Sequence, residues 1–239
     1  MSAQFVTTEV TRFDAAGNIF VPETKFTAVE VCFDLRLNGK SFRQIFCSPN
    51  DLEDLTVGAL AQAGEIFSAD DVTRLDVDAA NFAIDVETSP VAKTSDDELC
   101  DVHFSAKKIL SCADKLLSEL SPTHAKTNGV HGGLLFDGEK FLLVREDIGR
   151  HNVFDKIHGA ALRQRINMRD KVLIFSGRCS AEMVSKLHRM KIPVVAAKSV
   201  PTTQSIDLAR KFGITLAARM SAGSFCIYTN PQRIVLEEG

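Results

Sequence analysis

Cations and hydroxyls recur in this 239-residue chain at places where they could hold an anion. Ser176-Gly177-Arg178, Lys198-Ser199, and Arg219-Met220-Ser221-Ala222-Gly223-Ser224 each follow directly on a short apolar run. Arginine offers a planar fork of donors matched to phosphate oxygens, and glycine lets backbone amides approach the same oxygens. Polar loop composition alone would produce any one of these strings. Their recurrence after three successive apolar runs favours a common anion site.

A second group lies upstream. Glu146-Asp147-Ile148-Gly149-Arg150-His151-Asn152 leads into Val153, Phe154, Ile157, Ala161 and Leu162, a spacing that predicts an amphipathic helix. Arg150 and His151 fall in or beside its first turn, where a cation opposes the helix dipole at about 0.3–1 kcal/mol. Two explanations stand side by side. Asp147 or Glu146 neutralises Arg150, or a bound phosphate uses both the helix amides and Arg150, with Asp147 orienting Arg150 and His151. Thr127 to Gly133 holds Gly129 and His131 in a glycine-rich turn before a strand. A lone histidine is more often structural than catalytic, but three glycines in five residues suit a backbone surface that meets a ligand.

These residues need elements to bring them together. Lys171 to Ser176 reads as a strand, Ser180 to Met190 as a helix and Pro193 to Ala197 as a strand. Thr202 to Phe212 is a helix closed by Gly213, and Ile214 to Ala218 a strand. Short links between them imply parallel strands with right-handed crossovers, and ligands sit beyond the carboxyl ends of such strands. The three anion-binding strings fall there.

Upstream, Val29 to Leu37 alternates apolar and polar, and Asn38-Gly39 turns the chain toward Phe42 to Phe46, a β-hairpin with a type I′ turn. Ser48-Pro49-Asn50-Asp51 is predicted to open a helix, with Ser48 as N-cap and Pro49 at the first helical position. Val72 to Val86 supplies two more strands, and Thr88 to Cys100 a polar linker. A helix is expected from Val102, with Phe104, Ile109, Ala113, Leu116, Leu117 and Leu120 on its apolar face. A hairpin follows over Gly133 to Arg145, turning at Asp137-Gly138. The sequence thus predicts an α/β protein: residues 1–100 as an N-terminal α+β unit rich in hairpins, and 101–239 as an α/β ligand-binding core.

Composition narrows the function classes. Apolar residues make up 45%, charged residues 25% and the net charge is -3, which leaves no global basic field for nucleic acid. No Trp and a single Tyr argue against an aromatic base-stacking platform. No run approaches the roughly 18 apolar residues of a membrane span, and Met1 to Val10 lacks the pattern of a secretory signal. Six cysteines without a Cys-x-x-Cys pair fit free thiols in a reduced cytoplasm. Cys32, Cys47 and Cys226 lie in strand-like runs and Cys112 in a helical one, where burial is expected. A zinc deaminase would need His-x-Glu with Pro-Cys-x-x-Cys, and a dinucleotide oxidoreductase Gly-x-Gly-x-x-Gly after a strand. None of these strings occurs, so no metal site is expected.

Glu146 to Asn152 followed by Asp155-Lys156 resembles the signature of the FdhD/NarQ formate dehydrogenase accessory proteins. Ser176-Gly177-Arg178 with Glu182-Met183-Val184, Pro201-Thr202-Thr203, and Tyr228-Thr229-Asn230-Pro231-Gln232-Arg233-Ile234 resemble the family's later blocks, and Ser48 to Glu53 with Gly58 its first helix. The likeness runs from about Val29 to Ile234 in the same order. It implies a three-layer fold similar to cytidine deaminases, usually as a homodimer, and a cytoplasmic role in maturing formate dehydrogenase. The family takes persulfide sulfur from a cysteine desulfurase and passes it to the molybdenum bis(guanine dinucleotide) cofactor, whose nucleotide end GDP mimics. That end is expected near Arg219, Met220, Ser221, Ala222, Gly223 and Ser224. Gly129, His131, Asp147, Arg150, His151, Ser176 and Arg178 are expected to complete the cleft.

The chain also departs from the pattern. Arg219 stands where relatives usually carry an aromatic or apolar residue, and Gly132-Gly133 replace a pair of alanines after the histidine. The family's Cys-Gly-x-Cys-Gly loop is missing. Thr94-Ser95-Asp96-Asp97-Glu98-Leu99-Cys100 stands there, so Cys100 is the candidate sulfur carrier, beside three acids that disfavour a thiolate. Two functions remain: a working sulfurtransferase using Cys100 or a partner's thiol, or a non-catalytic protein that binds or delivers the cofactor.

Overall fold

The structure is a computed structural model in which residues 3–89, 99–118, 121–221 and 223–236 are described. The chain starts as an antiparallel ribbon, β1 (Phe5–Asp14) with β2 (Ile19–Ala28), which the sequence reading did not anticipate. Its polar and apolar residues do not alternate cleanly, because neither face is covered along its length. Aromatic pairs Phe5–Phe26 and Phe13–Phe20 stiffen its two ends.

Strands β3 (Val31–Leu37) and β4 (Lys40–Cys47) form the expected hairpin, with Asn38 at φ 51° and Gly39 at φ 75° as a type I′ turn requires. After α1 (Leu52–Ala63) come β5 (Val72–Asp78) and β6 (Ala83–Thr88). These strands make a sheet of order β4-β3-β6-β5, and α1 covers it with Leu55 and Leu60 against Phe33, Leu35 and Ile84. The helix begins later than predicted. Asp51, in the left-handed region, is its N-cap, and Ser48 is used elsewhere: its N–H donates to Asp147, and its Oγ accepts from the Ile148 N–H.

Most of the expected linker, residues 90–98, lies outside the described residues, as do Glu119 and Leu120. Phe104 belongs to a two-residue strand, β7 (Phe104–Ser105), and the helix predicted from Val102 starts after it as α2 (Ala106–Ser118). A short helix, α3 (Pro122–Thr127), precedes the hairpin β8 (His131–Phe136) and β9 (Phe141–Asp147). The remaining elements are α4 (Arg150–Arg163), β10 (Val172–Phe175), α5 (Ala181–Met190), β11 (Val194–Ala197), α6 (Thr203–Lys211), β12 (Thr215–Ser221), β13 (Ser224–Thr229) and β14 (Ile234–Val235). β14 pairs in parallel with β7.

The large sheet has the order β13-β12-β11-β10-β8-β9. Its middle three strands are parallel, as predicted, and the others antiparallel. Both faces are covered, which is why β10 and β11 read as unbroken apolar runs. Leu173, Phe175, Val195 and Leu216 face α4, α5 and α6, whereas Val172, Ile174, Val194 and Ala217 face α2. The result is a three-layer α/β core. Tyr228, on edge strand β13, is half-buried against the first of these faces.

The two sheets are joined where α1 crosses α4. A Cβ on Gly58 would lie 1.7 Å from the Asp155 carbonyl oxygen, and one on Gly159 would lie 1.9 Å from that of Asp54. Only glycine permits backbones this close. Ion pairs ring the crossing: Asp54 with Arg145 at 2.7 Å and with Arg163, and Asp155 with Arg43 and Lys186.

Candidate functional site

Three loops at the carboxyl ends of β10, β11 and β12 build one wall of a cleft. Ser176 follows β10 and exchanges two 2.9 Å hydrogen bonds with the Gly132 backbone, the second through its Oγ. Lys198 follows β11 and is held by its N–H to the Phe175 carbonyl at 2.9 Å. Near its end β12 shifts register between Ala218 and Ser221. Arg219 there takes a left-handed φ of 58° and points out to solvent, while Met220 is buried.

Two adjoining chambers lie at these loops. The larger, about 600 Å³, has mainly apolar walls: Leu110, Ala113 and Leu116 from α2, with Ile174, Phe175 and Met220 from the sheet. Asp114 and Ser221 add polar groups. The smaller, about 210 Å³, is lined by Gly129, Val130 and His131. His124, Asn128, Ser176 and Lys198 line both.

Two histidines face the small chamber. His124 Nδ1 lies 2.8 Å from the Val130 carbonyl, which can only accept, so Nδ1 carries a hydrogen. Burial lowers the His131 pKa, and the nearby charges of Arg150 and His124 lower it further against Asp147, so its ring is neutral at neutral pH. Gly177 makes room for it. A Cβ there would come within 2.8 Å of the Phe175 ring and 3.1 Å of His131 Nδ1.

The expected residues thus divide into groups. Gly129, His131, Ser176, Met220 and Ser221 line the chambers. Arg178, Arg219, Gly223 and Ser224 are exposed on the loops that border them, and Ala222 lies outside the described residues. Arg150 opens α4 half-buried, next to uncapped Gly149, and near enough to depress both His131 and His151. His151 Nδ1 is 3.3 Å from Glu182 Oε1 without hydrogen-bond geometry.

Asp147 corrects one expectation. It does not orient Arg150 and His151, because its buried carboxylate is already occupied. Lys156 Nζ pairs with it at 2.7 Å, both side chains being fully buried. The N–H groups of Ser48 and Gly149, with Asn152 Nδ2, complete its shell at 2.8–3.1 Å. Asp147 therefore fastens the loop before α4 to the loop before α1. Asp114 of α2 and His124 of α3 were missed as cleft residues, and Asn128, the C-cap of α3, joins them from the glycine-rich turn. The signal that could have placed α3 was Ser121-Pro122, with proline at the first helical position.

The thiols divide by access. Burial pushes Cys47 and Cys179 up to about 12 and Cys112 to about 11, which makes them inert. Cys226 is exposed and Cys32 half-buried, contrary to the expected burial, because β13 and β3 turn those side chains off the cores. Cys100 is half-buried and belongs to the lining of neither chamber. Among the described residues no cluster of His, Cys, Asp or Glu could hold a metal ion, and no helix is long and apolar enough to cross a membrane.

Comparison with known proteins gives a consistent result. The profile of the FdhD/NarQ family matches residues 28–102 and 90–235. A sulfur carrier protein FdhD of Staphylococcus haemolyticus (strain JCSC1435) is 32% identical over 249 residues, spanning 91% of this chain and 93% of the relative. One from Staphylococcus aureus (strain MRSA252) is 32% identical over 253 residues, spanning 93% and 94%. Among solved structures, a protein of Desulfotalea psychrophila assigned as a formate dehydrogenase accessory protein superposes with a TM-score of 0.86 at 25% identity. That likeness covers 98% of this chain and all of the other.

Proposed function

This chain belongs to the FdhD/NarQ family, and on that premise we propose that it is a formate dehydrogenase accessory protein that holds the guanine nucleotide end of the molybdenum bis(guanine dinucleotide) cofactor. The cofactor is cargo. Sulfur would reach it from the persulfide of a cysteine desulfurase before insertion into formate dehydrogenase, with the protein acting in the cytoplasm as a homodimer. The observation that carries the reading is the pair of adjoining chambers at the strand ends. A flat base suits the apolar one. Phosphates suit the mouth, where Lys198, the glycine-rich turn at Gly129 and the loop Arg219 to Ser224 offer cations, hydroxyls and backbone amides.

A second reading, in which the protein binds and delivers the cofactor without carrying sulfur, is favoured by the position of Cys100. A sulfur carrier needs an accessible thiolate near its acceptor, and Cys100 lines neither chamber. Calorimetric titration with GDP, run beside persulfide loading from a cysteine desulfurase with Cys100→Ala as control, separates the readings. GDP binding with Cys100-dependent loading supports a working sulfurtransferase. GDP binding without loading supports delivery alone, and failure to bind GDP refutes the cleft assignment.

A further inference from the structure

Three arginines, Arg150, Arg178 and Arg219, have neither hydrogen bond nor ion pair to their guanidinium groups among the described residues. Arg43, Arg145 and Arg163, at the helix crossing, are all matched by acids. The unmatched three lie at the cleft: Arg178 and Arg219 on the bordering loops, and Arg150 close enough to His131 to act on its charge. Lys198, on the wall shared by the chambers, has no acidic partner among the described residues either. The acids nearby do not balance them. Asp147 is taken by Lys156, Glu146 accepts from Ser121, and Asp114 lines the larger chamber but not the smaller. In a chain with more acids than cations, gathering unmatched positive charge at one place costs stability through mutual repulsion, and a bound anion relieves it.

His131 sits within this field. Its ring is backed by Phe175, with centroids 5.9 Å apart, Gly177 lies against Nδ1, and no protein group among the described residues bonds either ring nitrogen. His124 is anchored through Nδ1 to the Val130 carbonyl, and its Nε2 has no protein partner there. We propose that the small chamber is the subsite for the diphosphate of the nucleotide, and that His131 takes up a proton as the anion enters. The identity of the ligand rests on the nucleotide reading of the cleft, whereas the preference for an anion rests on the unmatched cations. In the empty chamber, burial and the charges of Arg150 and His124 keep the His131 ring neutral against the pull of Asp147. An anion beside the ring reverses that balance, and the imidazolium then gives it a charge-assisted donor. Lys198 adds a second charge, and Ser176 Oγ, which accepts from the Gly132 N–H, keeps its own hydrogen to donate. At about 210 Å³ the chamber takes the diphosphate while the larger one holds the base.

Proton NMR of the six histidine rings tests this on the full-length protein, with pH titrations run alone and with GDP, guanosine or sulfate. The His131 resonance is the one missing from both His131→Asn and His131→Gln. Its midpoint lies below the ordinary 6.5 in the empty protein. It is expected to rise by at least about one pH unit with GDP or sulfate, and to stay unchanged with guanosine, which has no phosphate. Arg150→Gln raises the midpoint of the empty protein, because one of the charges that depress it is gone. His131→Asn weakens GDP binding about tenfold at pH 6.5, the scale of one hydrogen bond to a charged group. GDP that binds by calorimetry while the His131 midpoint stays fixed overturns the inference and leaves the cleft reading intact. An equal rise with guanosine assigns the change to the base and overturns it as well. A rise with sulfate but no binding of GDP keeps the anion subsite and removes the nucleotide reading. No rise with either anion overturns the inference, and calorimetric titration with GDP then decides the cleft reading separately.

Discussion

Lys198 and His124 stand on the wall shared by both chambers, where a base and its phosphates would meet. Lys198→Ala is expected to weaken GDP binding by about 1.5–3 kcal/mol, the scale of a hydrogen bond to a charged group, and calorimetry reads the change directly. Unchanged affinity would take Lys198 out of the site. On the proposed reading Arg219 would carry two separable roles. A left-handed backbone costs a non-glycine residue about 1–2 kcal/mol, so Arg219→Gly should raise the urea midpoint while lowering affinity for GDP. A variant that gains stability and loses no affinity would reduce Arg219 to a turn residue. His158 sets an acid limit on the fold. Burial, helped by the Lys186 charge, holds its pKa down at about 3, and Nδ1 accepts from Gln62. An unfolded histidine titrates near 6.5, so between those values only the unfolded chain binds the proton. Stability therefore falls as pH falls, by about 1.4 kcal/mol per unit for this one group. His158→Gln should flatten the slope of urea stability between pH 6.5 and 4, and an equal slope in the variant would refute the assignment.

At the scale of elements, the crossing of α1 and α4 decides whether the two sheets meet at all. A methyl group on Gly159 has nowhere to go but into the Asp54 carbonyl, which is backbone and cannot yield without separating the helices. Gly159→Ala is expected to cost more than about 3 kcal/mol in chemical denaturation, far beyond the roughly 1 kcal/mol that alanine gains over glycine in a helix. A stabilised variant would show that the crossing is looser than the structure has it. Elements also differ in how far the sequence betrays them. The hairpin at Asn38-Gly39 and the parallel strands β10 to β12 were legible, because turn chemistry and unbroken apolar runs are local signals. The start of α1 was misplaced, because Ser48 satisfies a loop 99 residues away instead of its own helix. α3 and the ribbon β1–β2 went unseen, since the first has only six residues and the second has no buried face to impose alternation. In the cleft, strand ends were readable and the α2 and α3 wall was not, because packing against the sheet places that wall.

For the whole molecule, three cores and one ribbon imply unequal exchange of amide hydrogens. The N-terminal sheet and the large sheet share the α1–α4 contact and its ion pairs, so β3, β6 and β10 are expected to exchange with one common opening free energy. Residues 5–28 enter none of the three cores, and the ribbon is tied down mainly at its base, where Lys126 lies 4.6 Å above the Phe5 ring and Thr123 bonds Gln4. Its amides should exchange before those of every sheet core. Exchange of β3 well ahead of β10 would mean that the two sheets open separately.

The aromatic content has an optical consequence. With no Trp, and Tyr228 on β13 as the single Tyr, the protein scarcely absorbs in the near ultraviolet. One guanine ring retained in the cleft would therefore dominate the absorbance of a purified sample. The spectrum alone, before any assay, would count how many molecules left the cell loaded.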